Sequence, residues 1–277
     1  MKKILVPIDF STYSDYALEA AKGIANKTNA SLHLFHSLED HGNWSTILKD
    51  SQELIKLKNK YYQATQDQLT EFQNTIEEEG INCRFEIFDG PFLENIEYLV
   101  DSLDPELIVM GSHGARHKEE WFLGSNTQKV VRKVHNNILT IKSPITNCDF
   151  KKVVFVTSLD NDEKNVFEKF LEFVKPLGAK EVNILTIDTA SFFSQPTILI
   201  KEAMNDFKLI AKDIEVKGHF HADMTVEGGI RHFSEENNID LIGISHIHRH
   251  PIKRIFTGSK VEMLVNRTSI PVLSLDF

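Results

Sequence analysis

The residues best placed to do chemistry are three glycines and a serine that follow an apolar run. Their spacing is Gly111-x2-Gly114-x9-Gly124-Ser125. Glycine lets a ligand approach the backbone closely, and the free N–H groups at the start of a following helix face a negative charge. The spacing therefore indicates a phosphate site. The alternative is an ordinary turn followed by an ordinary helix N-cap.

The second half of the chain repeats this stretch in an altered form. Residues 241–259 align with residues 107–125 over all 19 positions without a gap. There Ser245 and His248 replace the first two glycines, whereas the Gly-Ser pair is kept. A side chain at either position would narrow a pocket that needs close approach to the backbone. We therefore expect the second half to bind a phosphate ligand weakly or not at all.

Length and composition limit the classes of protein that fit. The chain has 277 residues, 41% of them hydrophobic, and a formal net charge of −9. Its length suits two domains of roughly 140 residues each. The acidic charge argues against a general binder of nucleic acid or of anionic membranes. The opening apolar run is too short for a signal peptide, and no later run approaches the roughly 20 residues of a membrane span, so we expect a cytoplasmic protein.

The same order of strands and helices is predicted twice. Short apolar runs that predict strands occur in pairs, at 2–9 and 151–158 and again at 31–36 and 181–186. Amphipathic helical patterns lie between them, with Ser11 and Asp160 placed to cap the first helix of each half. A longer helical pattern covers residues 50–79, and Gly80 is placed to end it. The two cysteines, Cys83 and Cys148, lack CxxC spacing and are expected to be reduced structural thiols.

This repeated order predicts an α/β fold made of two tandem Rossmann-like, doubly wound domains, residues 1–147 and 148–277. Each domain would have a five-stranded parallel sheet flanked by helices. Right-handed crossovers place the ligand crevice at the carboxyl ends of the strands. Asp9, Ser37 and the glycine loop would meet there. The join near residues 143–149 is short, so we expect the halves to pack together.

Two of these motifs together resemble those of a known family. Ile4-Leu5-Val6-Pro7-Ile8-Asp9-Phe10-Ser11 and the glycine spacing are similar to the motifs of universal stress proteins, here in a tandem two-domain form. The resemblance implies an adenine nucleotide α-hydrolase-like fold and a stress-response module whose nucleotide occupancy sets the shape offered to partners. In the ATP-binding branch, the strand-end aspartate and the end of the second strand hold adenosine, and the glycine loop and helix start hold the phosphates. By position, the resemblance implies that ATP or a related adenine nucleotide, with or without Mg²⁺, is held by Pro7, Asp9, Ser37, Met110, Gly111, Gly114, Gly124, Ser125 and Asn126.

Several residues of this set also have simpler interpretations. Asp9 can accept hydrogen bonds from ribose or adenine, or it can stabilise a turn. Ser125 suits a terminal phosphate or an ordinary helix start. His113 could sit near phosphate or in solvent. Two carboxylates in Lys118-Glu119-Glu120-Trp121 would repel phosphates unless they point to solvent or help hold Mg²⁺, which argues against tight ATP binding.

Histidines are concentrated late in the chain, where they raise the question of a metal site. His219 and His221 would project to one face of a strand and could share a metal with the second loop at 246–250. Neither HExxH nor paired cysteines accompany them. Solvated histidines, or histidines satisfied within the core, are therefore the expected alternative to zinc.

Three classes of function stay open. The first is an ATP-binding stress or signalling module, the second is an interaction protein without nucleotide, and the third is a slow ATPase or nucleotide-dependent transferase. No GxSxG, GxxxxGK[ST] or GxGxxG motif supplies catalytic residues, so we expect at most weak ATP hydrolysis. Ser158 stands at the position of Asp9, so the second half has no counterpart to that carboxylate. The sequence identifies neither a protein partner nor the stress.

The family resemblance also bears on assembly. Single-domain members commonly pair through their last strand. The corresponding segments here, 138–141 and 270–275, would let the two halves pair within one chain as a pseudo-dimer, and a homodimer could form in addition. Pro271 suggests an edge position at the start of its strand.

Overall fold

The structure, a computed structural model, describes residues 1–38, 51–112, 124–145, 148–189, 197–245, 264 and 268–276. The first half contains β1 (Lys3–Pro7), α1 (Thr12–Thr28), β2 (Ser31–Leu38), α2 (Ser51–Glu78), β3 (Cys83–Asp89), α3 (Phe92–Leu103), β4 (Leu107–Gly111), α4 (Ser125–Lys133) and β5 (Ile138–Ile141). The second half contains β6 (Lys152–Val156), α5 (Glu163–Val174), β7 (Glu181–Asp188), α6 (Thr197–Ile210), β8 (Glu215–Ala222), α7 (Val226–Glu236), β9 (Leu241–Ser245) and β10 (Val272–Leu275).

The strands of both halves join into one ten-stranded sheet, in the order β3-β2-β1-β4-β5-β10-β9-β6-β7-β8. Every pairing within a half is parallel. Helices cover both faces of the sheet, so that an apolar core lies on each face. Successive residues of one strand therefore alternate between the two cores. Ile4 and Val6 face one core, and Leu5 faces the other. The predicted α/β class with a mostly parallel sheet is confirmed.

The halves meet where β5 and β10 pair in antiparallel fashion, with Thr140 opposite Val272 and Leu139 opposite Leu273. These are the segments that the sequence predicted to pair within one chain. The edge position suggested by Pro271 was wrong, since β10 lies between β5 and β9. Proline is tolerated because it precedes the strand. Its carbonyl still joins the sheet by accepting a bond of 3.0 Å from the N–H of Ile242.

The helix ends follow the sequence in the first half more closely than in the second. Ser11 caps α1, since its Oγ accepts a hydrogen bond of 3.2 Å from the N–H of Ser14. Gly80, with φ of +84°, follows the end of α2 as predicted. The cap predicted at Asp160 was wrong, because α5 begins at Glu163 with Asp162 in the N-cap position.

The sheet order fixes the position of two crevices. In each half the order reverses between two neighbouring parallel strands, β1 and β4 in the first and β6 and β9 in the second. Ligands of open α/β sheets bind at such points, outside the carboxyl ends of the strands. We call these places the first crevice and the second crevice. Because β5 and β10 are antiparallel, the strands of the two halves run in opposite directions. The carboxyl ends of the strands, and with them the two crevices, therefore lie on opposite sides of the sheet.

Candidate functional site

The first crevice begins at the end of β1, where a buried proline is followed by an exposed aspartate. Pro7 is the last residue of the strand, and Asp9 lies just beyond it. Asp9 Oδ1 accepts hydrogen bonds from the N–H of Ser11 at 3.0 Å and from its Oγ at 2.5 Å. The aspartate therefore stabilises the turn into α1 while its carboxylate stays at the surface, so both interpretations of this residue are compatible with the geometry.

Gly111, at the end of β4, has a clear structural reason to be glycine. A Cβ at this position would lie 2.6 Å from the backbone oxygen of Tyr13 and 2.7 Å from its carbonyl carbon. The first turn of α1 thus approaches β4 too closely for any side chain. Helix packing, in addition to any approach by a ligand, requires this glycine.

The N-terminus of α4 is fastened to the end of β4. The N–H of Gly124 donates to the carbonyl of Ser112 at 2.7 Å, and Thr127 Oγ1 donates to the carbonyl of Gly111 at 2.7 Å. Ser125 is the exposed first residue of α4, and Asn126 is half-buried. Gly124 has no side chain with which to cap the helix, so the N–H groups of its first turn suit an acidic ligand.

Thr127 was not predicted to belong to the site, although it is buried and joins the start of α4 to the end of β4. Its position two residues after the Gly-Ser pair was the available signal. Lys142, directly after β5, was also missed. It lies on the same edge of the sheet, next to the hydrogen bond of 2.9 Å between the Ser112 N–H and the Ile141 carbonyl. Burial lowers the pKa of Lys142 to about 8.

Ser37 and Met110 use their side chains for the fold. Ser37 Oγ donates to the carbonyl of Gly90 at 2.8 Å and accepts from Asn95 Nδ2 at 3.1 Å, which holds the turn between β3 and α3. Met110 is buried in the core. Their backbone atoms are therefore better placed than their side chains to contact a ligand. Gly114, His113 and the segment 118–121 lie outside the described residues.

An aromatic group lines the turn after β1 and was not predicted. Phe10 has φ of +57°, an uncommon conformation for a bulky residue. Its ring packs 5.1 Å from that of His36 and 6.1 Å from that of Phe72, between ring centroids. His36 is buried at the end of β2, with Nδ1 2.7 Å from the carbonyl oxygen of Ile8. These contacts support the strained turn that presents Asp9.

The second crevice contains a carboxylate of its own. Glu163, the first residue of α5, is 1% exposed. Its Oε2 accepts three hydrogen bonds, from Thr157 Oγ1 at 2.6 Å and from the N–H and Oγ of Ser158, both at 2.9 Å. Burial raises the pKa of Glu163, and these hydrogen bonds oppose the rise only in part.

The described late histidines each have a protein partner. His219 Nε2 lies 2.7 Å from Asn183 Oδ1, and His232 Nδ1 lies 2.7 Å from Asp223 Oδ2. His219 and His221 share a face, as expected, where both contact the ring of Phe233. Within the described ranges, no three His, Cys, Asp or Glu side chains are grouped as a metal would require. Residues 246–250 lie outside those ranges.

Comparisons with known proteins identify relatives of the chain. The family model of the universal stress protein family matches residues 1–142. Universal stress protein MJ0577 of Methanocaldococcus jannaschii is 28% identical over 153 residues, which is 51% of this chain and 94% of the relative. Universal stress protein MJ0531 of the same organism is 30% identical over 154 residues, or 52% and 83%.

A solved structure extends the likeness over both halves. The crystal structure of a universal stress protein from Archaeoglobus fulgidus superposes with a TM-score of 0.74 and 20% identity, covering 99% of this chain and 98% of that one. At this identity the comparison establishes the fold. No helix among the described residues has the length and apolar character needed to span a membrane. With the family model matching about half of its residues, the chain belongs to the universal stress protein family.

Proposed function

We propose that the chain is a stress-response module of the cytoplasm that binds ATP or a related adenine nucleotide in the first crevice. Residues 1–147 would form the nucleotide-binding domain, and residues 148–277 a second domain of the same fold. Nucleotide occupancy would set the surface offered to a protein partner. The pattern of residues assigns no nucleophile or general base, so hydrolysis, where it occurs, would be slow.

The convergence of three features at one point of the sheet carries this proposal. Asp9 follows β1, Gly111 ends β4, and the first turn of α4 is fastened to that same strand end through Thr127. A carboxylate suits ribose hydroxyls, and a helix N-terminus suits phosphate. Lys142 adds a partly buried ammonium group at the same edge of the sheet, where it would favour an anion.

The resemblance to the ATP-binding branch of the family supports ATP as the ligand. Of the residues that it implies, Pro7, Asp9, Gly111, Gly124 and Ser125 lie at the carboxyl ends of β1 and β4 or at the start of α4. The cation Mg²⁺, when bound with the nucleotide, would neutralise part of the phosphate charge. Binding measured with and without the metal would show whether it is needed.

The second domain is proposed to bind no nucleotide. Ser158 stands at the position of Asp9, and the carboxylate of Glu163 already uses the hydrogen-bond donors of the turn there. A ligand there would meet a buried carboxyl group in place of free hydrogen-bond donors. This domain would then serve as a constant surface joined to a nucleotide-dependent one.

The experiment that tests the proposal is a calorimetric titration of nucleotide-stripped protein with Mg-ATP. One site per chain is the expected stoichiometry. Two sites would contradict the proposed inactivity of the second crevice. The same titration with the Asp9→Ala variant separates binding in the first crevice from weak binding elsewhere, because only the former uses this carboxylate.

If the titration with Mg-ATP gives no heat of binding, one further measurement is needed. If mass spectrometry of denatured, freshly purified protein also finds no nucleotide, nucleotide binding is refuted and an interaction protein without nucleotide becomes the better assignment. The hydrogen bonds that Glu163 accepts from Thr157 and Ser158 favour this alternative, because they engage the donors of the second crevice within the protein itself.

A further inference from the structure

Thr127 is a polar residue within an apolar stripe of α4. The buried residues of this helix are Thr127, Val130 and Val131, and Val134 follows the helix at the same spacing. The three valines belong to one apolar core. A valine has nearly the shape of a threonine, so burial alone does not explain a hydroxyl at position 127. The hydrogen bond that this hydroxyl makes has to explain it.

The hydroxyl of Thr127 bonds to a different element of the fold. Its Oγ1 donates to the carbonyl of Gly111, the last residue of β4, at 2.7 Å. A threonine in a helix commonly bonds a carbonyl three or four residues earlier. Here the carbonyl three residues earlier, that of Gly124, accepts from the N–H of Gln128 at 3.0 Å. Thr127 therefore joins the helix to the strand and leaves the bond within the helix to the backbone.

A second hydrogen bond lies beside the first. The N–H of Gly124 donates to the carbonyl of Ser112 at 2.7 Å. We call the two bonds, from Thr127 to Gly111 and from Gly124 to Ser112, the clasp. The strand end that carries it is itself held in the sheet, because the N–H of Ser112 donates to the carbonyl of Ile141 in β5 at 2.9 Å. The clasp thus joins the start of α4 to a rigid part of the fold.

The clasp fixes the position of α4 in a way that apolar packing does not. The burial of apolar surface is non-directional, so a helix held by valines alone can shift or turn slightly on the sheet. A hydrogen bond acts over a narrow range of distances and angles. This precision matters at the N-terminus of α4, since its N–H groups hold an anion only when they point toward it.

The second half has no counterpart to the hydroxyl of Thr127 in its sequence. The Gly-Ser pair occurs in both halves, and at the same register Val261 stands where Thr127 stands. Valine keeps the apolar shape and cannot donate a hydrogen bond. Residue 261 lies outside the described ranges, so this comparison is one of sequence. The hydroxyl therefore occurs in the half that is proposed to bind nucleotide and is missing from the other.

We propose that Thr127 is a positioning residue for phosphate, and that through the clasp it makes the first crevice prefer ATP to adenosine. This inference rests on the nucleotide binding proposed above. Thr127 acts through the helix, because its buried hydroxyl already donates to Gly111. By the family resemblance, the start of α4 holds the phosphates, whereas Asp9 and the end of β2 hold adenosine. Loss of the hydroxyl therefore weakens the hold on phosphate and leaves the hold on adenosine unchanged.

A pair of substitutions at Thr127 tests the preference. Thr127→Val removes the hydroxyl and keeps the shape, and Thr127→Ser keeps the hydroxyl. In Thr127→Val the affinity for Mg-ATP, measured by calorimetry, should fall about tenfold, which corresponds to the loss of one hydrogen bond. The affinity for adenosine, measured by NMR titration, should stay the same. Thr127→Ser should restore most of the affinity for Mg-ATP.

Hydrogen exchange in the protein without ligand tests the clasp itself. The protection of the Gly124 N–H should fall in Thr127→Val and return in Thr127→Ser. The N–H of Ile8, which donates to the carbonyl of Phe35 at 2.8 Å beyond the end of β1, is the matched control and should keep its protection in both variants. Unchanged protection of Gly124 in Thr127→Val would show that the hydroxyl does not hold the helix start.

The titrations separate failure of this inference from failure of the proposed function. Equal affinity of Thr127→Val and the unaltered protein for Mg-ATP overturns the inference while nucleotide binding stands. So does an equal fall for Mg-ATP and adenosine, because it indicates general damage to the crevice. An unaltered protein that does not bind Mg-ATP refutes both.

Should Thr127→Val fail to fold, exchange in the unaltered protein decides. Mg-ATP is then expected to raise the protection of Gly124 and adenosine is not, whereas equal protection by the two ligands refutes the inference.

Discussion

The backbone oxygen of Tyr13 lies 2.6 Å from the point where a Cβ on residue 111 would stand, so the first turn of α1 and the end of β4 fit together only through Gly111. We expect Gly111→Ala to lower the free energy of unfolding by about 1 to 3 kcal/mol, because backbone atoms cannot move aside as a flexible side chain can. Urea denaturation measures the change. Ser245→Ala, at the equivalent position, should be neutral or slightly stabilising, since it removes a buried hydroxyl that has no hydrogen-bond partner within the described ranges. Equal stability of Gly111→Ala and the unaltered protein would show that α1 can shift at no cost.

Asp9→Ala should weaken nucleotide binding by about tenfold or more, the effect of losing one hydrogen bond to a charged group. Its stability should change less than that of Gly111→Ala, because Asp9 is exposed and fixes only the turn at Ser11. Calorimetric titration with Mg-ATP gives the affinity. Ser158→Ala is the matched control in the second half and should leave the affinity unchanged. An unaltered affinity in Asp9→Ala would remove this residue from the site.

Both cysteine thiols should be inert in the folded protein. Burial raises the pKa of Cys83 to about 12, and burial raises that of Cys148 to about 11 although Lys27 opposes it. The reactive thiolate is therefore scarce near pH 8. A thiol reagent that absorbs on reaction should label neither residue until denaturant is added. Rapid labelling of native protein would mean that the segment around Cys148 opens readily from Ala20, to whose carbonyl its thiol donates.

Lys217 should stabilise the edge of the sheet in a pH-dependent way. Its hydrogen bond to Glu181, at 2.6 Å, holds the pKa of that carboxyl down at about 2. A lowered pKa contributes stability that is present above the ordinary value of glutamate and is lost as the pH falls toward the lowered one. Lys217→Met should therefore reduce the urea midpoint at pH 7 and have a smaller effect near pH 2. The reduction is expected to be small, because Lys217 is largely solvated and salt screens the pair. A pH-independent loss would point to packing instead.

The sequence predicted those features that depend on local patterns. The apolar runs at β1 and β4, the cap at Ser11 and the glycine after α2 each follow from the residue types within a few positions. The single ten-stranded sheet depends on contacts between β5 and β10, which lie more than a hundred residues apart. Their pairing was reached only through the family resemblance.

The location of the candidate site could be predicted from the sequence, but the structural reasons for its individual residues could not. Asp9 and the Gly-Ser pair lie at the expected edge, because carboxyl ends of parallel strands always share one edge. Gly111 was interpreted through a ligand, but the structure also gives a packing reason that no spacing reveals. Asp160 was assigned as a cap because the pattern could not show that α5 begins only at Glu163, whose carboxylate turns back to accept a hydrogen bond from Ser158.

Pairing of β5 with β10 inside one chain also changes how the two halves find each other. Between separate chains such an association follows mass action and weakens on dilution, whereas a covalent connection fixes the effective concentration. At this strand pair, each first half therefore meets the second half made with it in place of an identical copy of itself. In a protein built in this way the two halves can diverge in sequence, since no exchange of subunits would mix the two kinds.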